Sequence, residues 1–507
     1  MNKLMTKVLI IVVIMIGILI ASIGFSATYY VDAARGDDKN NGLAQTTAWK
    51  TIAKVNASRF NPGDQILFKR GEVWRETLLV PSSGTQGKPI VFSAYGSGNK
   101  PTIVGSDVLT LWTNISGNVW KATVTTEPQV LWFNGTAGTK KTSKSILVSS
   151  GDWCWAGNTL SVYSATTPTN IEAASRTNSA STNGHKYLKL YNLNFVNGGN
   201  GSSGGTLVLG SGTSDIEVDS CDFSQADTCH IGIWGTATGN YKISNSTFSY
   251  SGLGHFIGAG NAIDVTTTTN PLVIVEKSKF THVGDWAGSG YHDHGIYFKS
   301  GRLIWRYNYQ YNGGVETGAS VKMSSWKSGS AQDGCEIYNN IFSAGGGIQQ
   351  WGVLSEAGSN HKVYNNVFYG VGTGVWQSGP NGPYVAGGSG ITVKNNIFHT
   401  TSFRFIRGTA TTNLISNYNV FYNGPATPFV WSKTVYSFSD WKIKIHQDHH
   451  SMTINPDFMQ PSEGNFTLKA SSPCIDAGTD VALRRDFNNV SVPQGSGVDI
   501  GAFEYKK

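Results

Sequence analysis

From about residue 187 the chain repeats one short phrase: an apolar strand, a turn rich in asparagine, then an aromatic residue. The copies read LKLYNLNF, IEVDSCDF, YKISNSTF, VIVEKSKF, LIWRYNYQY, CEIYNNIF, HKVYNNVF, ITVKNNIF and ISNYNVF. They put Phe195, Phe223, Phe248, Phe280, Tyr309, Phe342, Phe368, Phe398 and Phe421 at equivalent points, 23 to 33 residues apart. That period belongs to solenoid coils, in which one unit cannot bury its apolar face alone and must stack on the next. A second short strand follows within each unit, usually after glycine: GTLVL, IGIW, AIDV, GIYFK, SVKM, GIQQW, GVWQ, RFIR. Two or three strands per coil, polar turns and no helical period predict an all-β fold, a single-stranded right-handed parallel β-helix. A β-propeller would need a longer period and hairpin turns.

Composition agrees with the repeat. There are 61 glycines, and charged residues make up only 14% of the chain against 12% aromatics. Gly, Asn and Thr form helices poorly and suit short strands joined by turns. The asparagine pairs Asn339-Asn340, Asn365-Asn366 and Asn395-Asn396 fall at one turn. Asparagine tolerates left-handed backbone, and stacked side chains can bond along the pile, so these residues read as structural.

The pattern divides the chain into five parts. Residues 1–26 have a basic start at Lys3 and Lys7, an aliphatic run Val8–Ile20, and small residues at Gly24, Ser26 and Ala27. This is the layout of a cleaved secretory signal, predicting a secreted protein, extracellular or periplasmic, with no stable membrane anchor afterwards. Residues 27–106 form an N-terminal cap and the first coils, with a short helix near 48–57 that turns Ile52 and Val55 to one face. Residues 107–186 are a Trp-rich, β-rich insertion. The main helix spans 187–430. Residues 431–507 make the C-terminal coils and cap, the tail being expected to cover the far end.

Signal removal leaves 37 basic and 32 acidic residues, a net +5. The excess is mild and lacks the Lys/Arg clusters of a nucleic-acid binder; no nucleic acid is expected. It is compatible with an acidic polymer. The cysteines are Cys154, Cys221, Cys229, Cys335 and Cys474, an odd number, so at least one thiol is free. Cys221 and Cys229 flank a turn and could pair after export. No Cys/His spacing suits zinc, and no EF-hand-type loop occurs, although the wealth of Asp and Asn leaves calcium open. No cofactor is implied, and a monomer is expected.

Strand alternation selects the candidate site. In AIDV, GIYFK and SVKM, Ile263, Val265, Ile296, Phe298, Val321 and Met323 should face inward. Asp264, Tyr297, Lys322, then Gln349 and Trp376, should form one outward column, with coils about 4.8 Å apart. Lys299 stands one pleat along, and His292, Asp293 and His294 lie in the turn feeding the same strand. This gathering suits β-elimination from a uronate, which needs a base and neutralisation of the carboxylate. Lys322, or Tyr297 with its acidity raised by lysines, would be the base, and His294 the acid or a partner. Lys299 or Arg302 would meet the uronate, and Trp351 and Trp376 would stack on sugar rings. A glycosidase would instead use two carboxyls, with Asp264 and Asp293 as the pair and Glu316 and Asp285 in reserve. Outward polar residues on a solvated sheet mean little singly; co-location of six groups on three adjacent coils gives them weight.

The entry YYVDAARGDD…AWKTIAKVNA…PGDQILFKRG and the tail SPCIDAGT…DIGAFEY, taken with the coils, resemble the pectate-lyase-like superfamily of secreted β-helix proteins. The resemblance covers nearly all of the chain after the signal. It implies a carbohydrate-active enzyme with a polysaccharide substrate: a polysaccharide lyase foremost, otherwise a glycoside hydrolase, a uronan epimerase, or a non-catalytic glycan-binding surface protein. The motifs of its best-known members do not transfer. The only Asp-Asp is Asp37-Asp38, HDHG is not Gly-His-Gly, and Arg-x-Pro-x-x-Arg is absent.

Overall fold

The computed structural model describes residues 26–506, apart from 200, 202–203, 254–259, 284–293, 312–317, 325–332, 345–350, 379–387 and 410–412. Residues 1–25 of the expected signal therefore lie outside the described residues. Three long parallel sheets run the length of the molecule, two of 12 strands and one of 11. Each coil contributes one strand to each in turn, as in Leu188–Tyr191, Asn194–Val196 and Gly205–Leu209. The architecture is a right-handed parallel β-helix.

The repeat builds the core directly. Phe195, Phe223, Phe248 and Phe280 stack on the inner side of the second sheet with centroids 5.3, 5.0 and 4.7 Å apart. Phe342, Phe368, Phe398 and Phe421 continue the pile at 5.0, 4.8 and 5.3 Å. Burying one such ring contributes roughly 1.5–3 kcal/mol. Tyr309 departs from expectation. In the strand Tyr309–Tyr311 the inward place, between Phe280 and Phe342, belongs to Gln310, and Tyr309 faces outward, half-buried. The aromatic on either side of Gln310 made the phase of that strand ambiguous.

Two glycines inside third-sheet strands have a packing cause. A Cβ on Gly352 would lie 2.4 Å from the Phe368 ring, and one on Gly374 would lie 2.3 Å from Phe398.

The asparagine pairs divide their labour. The first member, Asn339, Asn365 or Asn395, takes the left-handed conformation at φ 52°, 50° and 55°. The second is fully buried and forms a ladder through Asn308, Asn340, Asn366, Asn396 and Asn419. Each backbone N–H donates to the next Oδ1 at 2.9, 3.0, 3.0 and 2.9 Å. The turn between the first and second sheets is thus hydrogen-bonded along the stack.

At the N-terminal end, the helix Ile52–Asn56 buries Ile52 and Val55 and is capped by the Thr51 side chain. The far end is covered by residues 434–448, where Trp441 is fully buried against Phe429. The tail beyond does not lie over that end. It folds back along the flank, where Cys474, Ile500 and Phe503 pack on Ile341, Val367, Ile397 and Val420. The side chains of Asn339, Asn365 and Asn395 donate to the tail carbonyls of Arg485, Asp499 and Gly501, and Thr479.

Between the second-sheet strand Thr102–Val104 and the third-sheet strand Ala180–Ser181, two small mostly antiparallel sheets emerge, of four and five strands. They dock on the main helix through Trp132, whose indole donates to Gln225 at 3.2 Å. All five cysteines are buried and free; Cys221 and Cys229 do not pair. Cys221 lies in the ladder turn, where its amide donates to Ser246 Oγ, whereas Cys229 opens a third-sheet strand.

Candidate active face on the third sheet

Register on the third sheet aligns Gly232, Asp264, Tyr297, Lys322, Leu354, Trp376 and Arg407. Asp264, Tyr297, Lys322 and Trp376 stand in one outward column. Gln349 lies outside the described residues; the described strand of its coil is Trp351–Ser355, and Leu354 stands between Lys322 and Trp376. His292, Asp293 and Glu316, and the reserve Asp285, also lie outside the described residues. Ile263, Val265, Ile296, Phe298, Val321 and Met323 are all fully buried, as the alternation requires.

Asp264 is the most closely held group. Its Oδ1 accepts from Trp234 Nε1 at 3.1 Å and from Thr266 Oγ1 at 2.6 Å. Its Oδ2 accepts from Asn261 Nδ2 at 3.3 Å and faces Lys299 Nζ at 3.5 Å. Trp234 reaches it because the preceding column position is glycine. A Cβ on Gly232 would sit 2.4 Å from the Trp234 ring, so only glycine lets the indole lie flat there.

Tyr297 lies between two ammonium groups. Lys299 Nζ is 4.0 Å and Lys322 Nζ 4.9 Å from its ring centroid, within cation–π range. Burial, with smaller contributions from Glu356 and Asp264, raises the Tyr297 phenol to about 12. This corrects the expectation that the lysines make it a base: they face the ring, while carboxylates set its electrostatics. Lys322 forms an ion pair with Glu356 at 3.5 Å. The crowding by cations expected of Lys322 is therefore offset by a carboxylate partner.

His294 is 1% exposed, and its ring packs edge-on to Tyr297 at 5.2 Å. The backbone N–H of Ala319 donates to its Nδ1 at 2.9 Å, which assigns the ring proton of the neutral form to Nε2. Its backbone N–H donates to Asn261 Oδ1, so Asn261 ties His294 to Asp264. The Ala319 amide therefore occupies Nδ1, and the ring stands edge-on to Tyr297.

Trp351 and Trp376 meet edge to face at 4.9 Å, and the Arg407 guanidinium lies 4.2 Å from the Trp376 ring. Arg302 is not part of this face. It belongs to the first sheet and pairs with Glu336 at 3.0 Å, because its coil turns a corner between Lys299 and Arg302. Sequence reasoning missed Gly232, Trp234, Glu356 and Arg407. Arg407 was findable from RFIR by the same alternation. Glu356 was not, because it follows the end of its strand.

No protein-family profile matches the chain. In sequence it is similar to lacto-N-biosidase of Bifidobacterium longum subsp. longum, 39% identical over 87 residues. That stretch is 16% of this chain and 5% of the biosidase, so the chain spans a small fraction of its relative's length. In structure it is similar to XylC in complex with xylose, with a TM-score of 0.59 and 13% identity over 94% of this chain and 99% of the other. It is also similar to pectate lyase Pel9A, with a TM-score of 0.52 and 15% identity over 96% and 98% of the two chains. The fold is the parallel β-helix that XylC and pectate lyase Pel9A share. That fold carries both lyases and hydrolases, so the chemistry must be argued from the column.

Proposed function

We propose that this protein is an exported carbohydrate-active enzyme that cleaves an acidic glycan on the third-sheet face by β-elimination. The observation that carries this reading is the withdrawal of outward-facing charges from solvent. The side chains of Lys299, Asp264 and Lys322 are 11%, 12% and 14% exposed, although all stand on the outer side of a sheet. Lys299 and Arg407 supply positive charge to a uronate carboxylate, and Trp376 supplies an apolar ring face. On substrate entry Lys322 passes its ammonium proton to Glu356, and the neutral amine then takes the proton beside the uronate carboxylate. Tyr297, kept protonated by burial, donates to the departing glycosidic oxygen.

One observation favours hydrolysis as a second reading: Asp264 and Glu356 both act electrostatically on Tyr297 and would supply two carboxyls to one site. Incubation with polygalacturonate, alginate and glucuronan decides between them. Elimination yields an unsaturated product that absorbs in the ultraviolet. New reducing ends without that absorbance overturn elimination in favour of hydrolysis. Export is tested by sequencing secreted material, expected to begin near Ala27 or Thr28; an intact Met1 start in the membrane fraction would refute it.

A further inference from the structure

A cleft of about 410 Å³ opens on a different face, between the outer side of the second sheet and the turn Pro461–Gly464 of the tail. Tyr309, Tyr311 and Tyr369 line it, with Ser343 at its floor and Lys279 and Glu463 exposed at its mouth. Its size falls in the range of small-ligand sites, and its lining pairs aromatic rings with a few polar groups. The rings are held in place. Tyr369 packs on Phe466 at 5.1 Å and on His399 at 4.9 Å, and Tyr309 lies against the backbone of Gly464. A preformed site of this kind binds without the cost of ordering its side chains.

We infer that this cleft is a second glycan-binding site, taking a short stretch of pyranose chain by stacking on tyrosine. The inference rests on the proposed action on glycans for the class of ligand, but not on the chemistry of the third sheet. Pyranoses present an apolar C–H face and a hydroxyl rim; tyrosine offers both a ring and a hydroxyl. One cation and one anion at the mouth leave no net charge to attract an acidic polymer, so stacking and hydrogen bonds hold the sugar. The strands that line the cleft, Lys279–Thr281, Tyr309–Tyr311, Ile341–Ser343 and Val367–Tyr369, belong to the coils that carry Tyr297, Lys322, Leu354 and Trp376 in the column. A polymer chain engaged in this cleft is therefore held one corner away from the candidate active face.

The test is affinity electrophoresis of the whole chain in gels containing arabinoxylan or polygalacturonate, at low and high salt. The wild type is expected to be retarded, and retardation is expected to persist at high salt, since no ion pair drives it. Tyr311→Ala should weaken binding about fivefold, in the range of one aromatic contact. Tyr311→Phe should keep most of it. Both variants should melt within a few degrees of the wild type and turn over a short soluble substrate unchanged. Lys322→Ala should remain retarded although inactive, which separates this site from the column. No retardation of the wild type in either gel, its loss at high salt, or equal retardation of Tyr311→Ala overturns the inference.

Discussion

The outer faces of the first and third sheets are built by the same alternation, and both carry charges stacked from coil to coil. On the first sheet, Lys242 and Arg306 share Glu276, while Arg302 and Lys362 share Glu336. Arg302 and Lys362 keep 53% and 47% of their side-chain surface in water. Exposed pairs of this kind contribute about 0–1 kcal/mol each and keep a sheet soluble. On the third sheet Trp234 lies against Asp264, the Tyr297 ring against Lys299 and Lys322, and Trp376 against Arg407. Enclosed charge costs desolvation that an apolar pair would not, so stability does not account for it. Under the proposed function the difference lies in the cations: Arg302 and Lys362 are solvated, whereas Lys299 and Lys322 are withdrawn. Glu276, though only 9% exposed, is answered by Lys242 and Arg306, which keep 44% and 30% in water.

The sharpest way to break this contrast is to remove one lysine from each face. Lys322→Ala should lower turnover by about 10²–10⁴-fold, the range of a general base, while the melting temperature falls only modestly as Glu356 loses its partner. A variant with full activity would erase the distinction. Tyr297→Phe should follow, with a loss of about 10²-fold from the missing proton donor. Because the phenol sits at about 12, no phenolate absorbance from Tyr297 should appear in an ultraviolet titration until near that pH. Ionisation at the ordinary tyrosine value would show that the ring is not enclosed.

A smaller effect is expected at Gly232→Ala. The added methyl must displace Trp234, removing its bond to Asp264, and turnover should fall roughly tenfold, the worth of one hydrogen bond to a charged group. Trp234→Phe should reproduce that loss; if it does not, Asp264 is held well enough by Thr266, Asn261 and Lys299. Least of all, Lys362→Ala on the first sheet should leave turnover untouched and change stability by no more than about 0.5 kcal/mol in urea unfolding.

What could be read from the sequence follows from which signals repeat. The phenylalanine pile and the asparagine turns recur in nearly every coil, so a slip in one copy is corrected by the others. The strand at Tyr309 had no such safeguard: with tyrosine on both sides of Gln310, inward and outward look alike. In the coil after Lys322 the sequence predicts GIQQW as the strand, whereas the strand in register with Ala319–Met323 is Trp351–Ser355. Asp264, Tyr297 and Lys322 fell in line because each sits between two β-branched or large apolar residues that fix its phase. Glu356, beyond its strand, and Trp234, which lies down only because position 232 is glycine, are matters of three-dimensional neighbourhood. Linear alternation does not contain them. The branching of Arg302 away from Lys299 is likewise set by a corner at Gly301, which a strand-by-strand reading runs straight through.

The tail that folds back along the flank has a consequence in time. The left-handed asparagines bond to carbonyls 84 to 146 residues later in the chain. Coils can stack one after another as they leave the ribosome or the export channel, since each needs only its predecessor. The stripe Ile341, Val367, Ile397 and Val420 is not fully covered until the tail from Met452 to Phe503 has arrived. A chain interrupted before that point would display a greasy ridge flanked by unanswered amide donors, legible to a quality-control protease as unfinished work.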